Sequence, residues 1–118
     1  MPEETHRLNV ATQNDVTLVE LIDRKVLDEM EISQISEQLN ALVAGSDRPK
    51  LVLDFSAVVQ MSSSALGMLI TLHKHIRERE GQLRLCSIQP SIYEVFIITR
   101  LNEIFRICRS QEEALSSF

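Results

Sequence analysis

The sequence predicts a single α/β domain, built on a mixed, mostly parallel sheet of about five strands with about four helices packed on it. Three observations carry this. Short β-branched runs alternate along the chain with segments of helical periodicity. One run, Lys50-Leu51-Val52-Leu53-Asp54-Phe55, is almost continuously apolar, as a strand buried on both faces must be. No linker, internal repeat or low-complexity tract divides the 118 residues, a length that fits one domain (1–118, core about 7–115).

Residues 7–12 (Arg7-Leu8-Asn9-Val10-Ala11-Thr12) read as a short strand, and Gln13-Asn14-Asp15 as a turn. Val16 to Ile22 is a second strand, so the first two form a hairpin. A helical pattern begins at Asp28. Ile32, Ile35, Leu39 and Leu42 recur at spacings of three and four, which places them on one face. Asp28, Glu29 and Glu31 suit the positive end of its dipole. Gly45-Ser46-Asp47-Arg48-Pro49 ends that helix, and the apolar strand 50–55 follows.

A second helix is expected from Ser63 to about Arg79. Ala65, Leu66, Leu69, Ile70, Leu72, His73 and Ile76 share one arc of it, and Glu80-Gly81 closes it with glycine at the C-terminal position. Leu83 to Ile88 is the next strand. Pro90 opens a third helix, Ser91 to about Thr99, because proline is tolerated in a first turn. Glu103 to Cys108 reads as a last strand. Ser110-Gln111-Glu112-Glu113 has capping-box spacing and starts a final helix.

Composition narrows the functions. Hydrophobic residues make up 44% and charged residues 25%, ordinary globular usage. The formal net charge of -5 argues against a general binder of nucleic acid or anionic membrane, since both need a basic surface. No apolar run approaches the roughly 18 residues that span a bilayer. The acidic start Met-Pro-Glu-Glu-Thr does not resemble a secretory signal, so a cytoplasmic protein is expected. Cys86 and Cys108 sit in apolar runs and read as buried, reduced thiols; a disulfide or redox pair is the alternative.

Several chemistries lack their residues. His6, His73 and His75 do not have metal-site spacing with each other or with the cysteines. There is no GxGxxG, no phosphate-binding glycine loop and no GxSxG elbow, and no cofactor is expected. His73 reads as a packed histidine at the core edge, and His75 as solvated surface. Asp54 ends a buried strand, where turn formation is the ordinary role of an acid. A small enzyme working through Asp54 or His73 ranks below the binding functions described next.

One segment stands out: Val58-Val59-Gln60-Met61-Ser62-Ser63-Ser64-Ala65-Leu66-Gly67-Met68. Serines are poor in a helix interior and good at its start, so capping alone accounts for one of them. The same helix start offers free N–H donors and partial positive charge, which also suit a phosphate. A phosphoserine there adds about -1.5 to -2 charges, enough to abolish docking of a partner without unfolding the domain. Small neighbours, Ala65 and Gly67, allow close approach. Met61 and Met68 are candidates for the same surface.

This segment and the element order around it resemble the STAS domain of bacterial anti-sigma factor antagonists, from about Leu8 to Phe118. The family motif, Asp-Ser-Ser-Gly-Leu-Gly at a helix start, corresponds to Ser62-Ser63-Ser64-Ala65-Leu66-Gly67. Lys25-Val26-Leu27-Asp28 matches its Gly-x-Leu-Asp. Gly81-Gln82-Leu83-Arg84-Leu85-Cys86 followed by Pro90 matches its Gly-Gly-x-Leu-x-Leu and proline. Asn102-Glu103-Ile104-Phe105 and the end helix with Glu112, Glu113 and Ala114 match its tail. Three positions depart: Ser62 replaces the family Asp, Ala65 replaces a Gly, and the Gly of Gly-x-Leu-Asp is missing.

The resemblance implies phosphorylation at Ser63, with Ser64 as secondary site or N-cap. For that function the docking surface is expected to include Gln60, Met61, Ser62, Ser63, Ser64, Ala65, Gly67 and Met68, with the loop Ser56–Ser62; Met68 is included because it falls off the apolar arc of its helix. The implied partners are an anti-sigma factor with serine kinase activity and a phosphatase. The unphosphorylated domain would sequester the kinase and free a sigma factor. The alternative implied by the same family is a subunit of a larger signalling or membrane-transport assembly that is not phosphorylated.

Overall fold

A computed structural model describes residues 8–118. Arg7, the first residue of the expected opening strand, and His6 lie outside the described residues. Strands β1 (Leu8–Gln13) and β2 (Val16–Leu21) form the expected antiparallel hairpin. Its turn places Asn14 and Asp15 both at positive φ, the conformation that matches strand twist in a two-residue hairpin. Helix α1 (Glu29–Ala44) leads to β4 (Lys50–Asp54), and α2 (Ser63–Glu78) leads to β6 (Gln82–Cys86). Helix α3 (Pro90–Ile98) leads to β7 (Arg106–Cys108), and α4 (Gln111–Leu115) follows.

Two further strands of two residues each, β3 (Lys25–Val26) and β5 (Gln60–Met61), pair in parallel outside the main sheet. Periodicity cannot reveal elements this short. The main sheet has five strands in the order β1-β2-β4-β6-β7, parallel throughout except for the hairpin.

The core on one face of the sheet joins Val19, Leu51, Leu53 and Leu85 to Ile35 and Leu39 of α1 and to Leu69, Leu72 and Ile76 of α2. The opposite face carries a smaller cluster, Val16, Val52, Cys86 and Cys108, covered by Ala114 of α4. Two of the residues expected on buried arcs behave differently. Leu42 is only half-buried, with Val43 taking the inward position, and Ile70 is exposed.

Three other expectations are corrected. The segment expected to be a strand from Glu103 is a 3-10 turn over Leu101–Glu103, and only Arg106–Cys108 pairs with β6. His75 is half-buried, its Nδ1 lying 2.9 Å from Asn40 Oδ1 of α1, because α1 and α2 lie side by side on the sheet. The left-handed residue after α2 is Glu80, at φ 60, while Gly81 is needed for space. A Cβ at Gly81 would collide with the Pro49 carbonyl and lie 2.8 Å from Pro49 Cγ.

Candidate functional site

The serine segment sits where β4 hands the chain to α2. The link between them is held from both sides. On one side, Val59 N–H donates to Arg24 O at 2.7 Å and Ser62 N–H to Val26 O at 3.1 Å, extending the β3–β5 pairing. The matched segment Lys25-Val26-Leu27-Asp28 thus has a physical task. It docks the serine-bearing loop and then supplies Asp28, whose carboxylate caps α1 by accepting from Met30 N–H.

On the other side, Asp54 Oδ1 accepts from Ser56 N–H at 2.8 Å, a local turn, while Gln89 Nε2 donates to Ser56 O at 2.8 Å. Asp54 is buried, and Gln111 of α4 reaches it. Gln111 Nε2 donates to Asp54 Oδ2 at 2.7 Å and to Glu20 Oε2 at 2.9 Å, bridging two carboxylates on neighbouring strands. Burial pushes the Asp54 carboxyl up, but hydrogen bonds from Ser56, Gln111 and Ser87 outweigh it and hold the pKa below its ordinary value. Cys86 lies 3.8 Å from the same oxygen, and burial pushes its thiol up to about 12. Asp54 is therefore a tie that fixes the loop, in keeping with the turn role expected for it. Both cysteines are free and buried, as expected.

The three serines have separate fates. Ser62 is the N-cap of α2, in extended conformation, with Oγ accepting from Ala65 N–H at 3.2 Å. Capping therefore falls to Ser62, not to Ser64. Ser64 is exposed, and its Oγ donates to Glu29 Oε2 of α1 at 2.7 Å. Ser63 is exposed, and its hydroxyl has no partner among the described residues. The first i→i−4 bond of α2 is Leu66 N–H to Ser62 O, so the Ser63 and Ser64 N–H groups fall in the unpaired first turn.

Glu29 was not legible as part of this site. The first turn of α2 contains no acid, and Ser62 stands where the family has Asp. The carboxylate at this helix start comes instead from α1, 35 residues earlier in the chain.

The other candidate residues divide by exposure. Gln60 is exposed, and Gly67 is exposed with nothing within 4 Å of a Cβ placed on it. Met61 and Met68 are half-buried and pack against the core, so both side chains serve the fold in part. Ala65 is fully buried and presents no side chain to solvent, which corrects its place in the expected docking surface. Leu27 and Met30, flanking the α1 cap, are exposed beside Glu29. His73 is half-buried, edge-on to Phe105 with ring centroids 5.4 Å apart, and far down α2 from the serines. Among the described residues, no group of three or more His, Cys, Asp or Glu side chains forms a metal site, and no helix is long and apolar enough to cross a membrane.

A doubly tied loop delivers one exposed, unpartnered serine to the start of an amphipathic helix in a small α/β domain. The chain belongs to the STAS domain family, whose model matches residues 7–114. It is 31% identical over 93 residues to BtrV of Bordetella bronchiseptica, named an anti-sigma factor antagonist, with 79% of each chain covered. It is 28% identical over 83 residues to the anti-sigma-B factor antagonist of Listeria monocytogenes, covering 70% of this chain and 64% of that protein. Among solved structures, an anti-sigma-factor antagonist (STAS) domain protein from Planctomyces limnophilus superposes with a TM-score of 0.83 at 26% identity, covering 93% of this chain and 95% of that one.

Proposed function

We propose that this protein is a cytoplasmic anti-sigma factor antagonist whose docking surface is switched off by phosphorylation of Ser63. In this reading the unmodified domain binds an anti-sigma factor with serine kinase activity and frees a sigma factor. The kinase phosphorylates Ser63, the complex breaks, and a phosphatase restores the docking form. The domain itself carries out no reaction.

The observation that carries this reading is the freedom of the Ser63 hydroxyl. Its neighbours are engaged, Ser62 in capping and Ser64 with Glu29, while Ser63 is exposed and unpartnered among the described residues. A phosphate added there meets the unpaired N–H groups of the first turn, so the scaffold tolerates it. The partner, by contrast, meets a new dianion.

Gly67 supports the same reading. A glycine inside a helix costs about 0.5–1 kcal/mol relative to alanine, and no neighbouring group in this fold would obstruct a Cβ there. It lies one helical turn beyond Ser63, where a bare backbone lets another molecule approach closely. Gln60, Ser63, Ser64 and Gly67 form the accessible part of the surface, bordered by Leu27 and Met30.

Intact-mass analysis of protein purified from its own cells, with the site mapped, tests the modification. The expected result is a fraction heavier by one phosphate at Ser63. Ser63→Asp is expected to fold normally and lose binding to the anti-sigma factor, while Ser63→Ala binds constitutively. Undiminished binding by Ser63→Asp would overturn the switch, and copurification with a larger assembly without any phosphate would favour the non-phosphorylated subunit instead.

A further inference from the structure

The end of the molecule away from Ser63 carries a recess of about 240 Å³ at the start of β6 and β7. His73, Arg77, Arg84 and Arg106 line it, and no carboxylate does. Arg77 lies fourteen residues after Ser63 on the same helix, a rise of about 21 Å.

These cations lack the usual compensation. None of Arg77, Arg84 and Arg106 is ion-paired with a described carboxylate. Arg84 and Arg106 are register partners on adjacent strands, an arrangement of like charges that destabilises a sheet. Arg84 is 7% exposed, and its N–H groups go to neutral acceptors: Ser117 Oγ at 2.8 Å, Ser117 O at 3.3 Å, Gln82 Oε1 at 2.7 Å and Leu83 O at 3.4 Å. The Phe118 ring lies 4.4 Å from its guanidinium carbon. Burial, and then the charge of Arg106, lower the Arg84 pKa, and burial followed by Arg77 lowers that of His73. In a chain with a formal net charge of -5, this concentration is not the by-product of a basic surface.

Each residue has an ordinary explanation taken singly. Arg77 complements the C-terminal dipole of α2. Arg106 guards an edge strand. Arg84 packs the C-terminal segment. None of these explains why all line one recess that no acid enters.

We propose that this recess is a binding site for a small oxyanion of the phosphate class, clamped between the exposed guanidinium groups of Arg77 and Arg106. Arg84 supplies a fixed background charge, since four of its five N–H donors are already engaged. Guanidinium groups suit the occupant because they bind phosphate oxygens in a planar, bidentate fork. The volume is below the roughly 300–1,000 Å³ that drug-sized ligands fill, so the site takes a free anion or the phosphate end of a larger molecule. An occupant would offset the Arg84–Arg106 repulsion and raise the pKa of His73. The site does not depend on the switch proposed for Ser63.

The test is an NMR titration of the full chain with inorganic phosphate, at constant ionic strength, with chloride as control. Saturable shifts at Arg77, Arg106 and His73 are expected, with an upward move of the His73 titration midpoint. The Arg77→Gln/Arg106→Gln double variant is expected to bind phosphate at least about tenfold more weakly, while Arg100→Gln, outside the recess, binds normally. Glycerol 3-phosphate in a parallel arm identifies the source: tighter binding than inorganic phosphate marks an organic phosphate, and equal binding a free anion. Shifts reproduced by chloride, or unchanged affinity in the folded double variant, overturn the proposal.

Discussion

Ser64 Oγ donates a 2.7 Å hydrogen bond to Glu29 Oε2, joining the first turn of α2 to the first turn of α1. The bond separates two adjacent serines into different chemical roles. Ser64 is occupied and faces a carboxylate, whereas Ser63 is free. A second negative charge is therefore tolerated at one position and opposed at the other.

Ser64→Asp is expected to lower stability by about 0.5–1 kcal/mol, because it replaces a charge-accepting bond with two opposed carboxylates at a solvent-exposed contact. Glu29→Gln in the same chain should recover most of that loss. Ser63→Asp should leave the melting temperature nearly unchanged. Thermal denaturation of the three variants and the wild type measures the coupling directly. Equal destabilisation by both aspartates would show that Glu29 does not discriminate the two serines.

Gly67→Ala is expected to stabilise the domain by about 0.5–1 kcal/mol, since the fold leaves space for the methyl group and the helix prefers it. Gly67→Arg should also fold, but should weaken docking of the anti-sigma factor at least about tenfold by blocking close approach. Urea denaturation reads the first effect and calorimetric titration the second. A destabilised alanine variant would place an unseen neighbour at this site.

The turn after α2 makes an opposite pair of predictions. Gly81→Ala would drive a Cβ into Pro49, and overpacking of this kind costs about 1–3 kcal/mol. Glu80→Gly should stabilise the domain by about 1 kcal/mol, because Glu80 holds a left-handed conformation that glycine adopts freely. Equilibrium denaturation distinguishes the two outcomes.

Asp54 makes stability depend on acid. Its folded pKa lies below the unfolded value of about 3.8, so the charged form is favoured by folding. The stabilisation is complete above the unfolded value and is lost as pH falls from there through the lower folded value. Stability should therefore decline below about pH 4, and Asp54→Asn should flatten part of that decline while lowering stability at pH 7. Urea denaturation as a function of pH measures the difference. An unchanged acid limb in the variant would assign the decline to other carboxylates.

Burial, and the Cys86 pKa of about 12, also make the thiols slow to react. Native protein at pH 8 should resist iodoacetamide, with labelling of both cysteines following global unfolding in urea. Fast native labelling of Cys86 would contradict its burial.

Much of this fold was legible in local pattern. The hairpin, the strand 50–55, the starts of α1, α2 and α4 and the sheet class all followed from periodicity, caps and turn residues, because each signal is carried by residues a few positions apart. The capping box at Ser110 was partly right. Ser110 Oγ accepts from Glu113 N–H, but the Glu113 carboxylate accepts from Arg109 N–H instead of returning to the cap residue. The stretch 103–105, expected to begin the last strand, satisfies a strand pattern through Ile104 and Phe105, but Phe105 is buried from the turn that precedes β7.

By itself the sequence determined which faces are apolar, where the helices begin and that a serine-rich segment opens α2. Only the tertiary structure decided which serine is free. That choice depends on β3 pairing with β5, which fixes the loop, and on Glu29 meeting Ser64 across 35 residues of chain. The same holds for the bridge from Gln111 to Glu20 and Asp54, and for the cations gathered at the far end of α2. The physical reason is common to all of them. A hydrophobic period specifies which side of an element faces inward, but strand order and register decide which polar side chains from distant segments come within a hydrogen bond of one another.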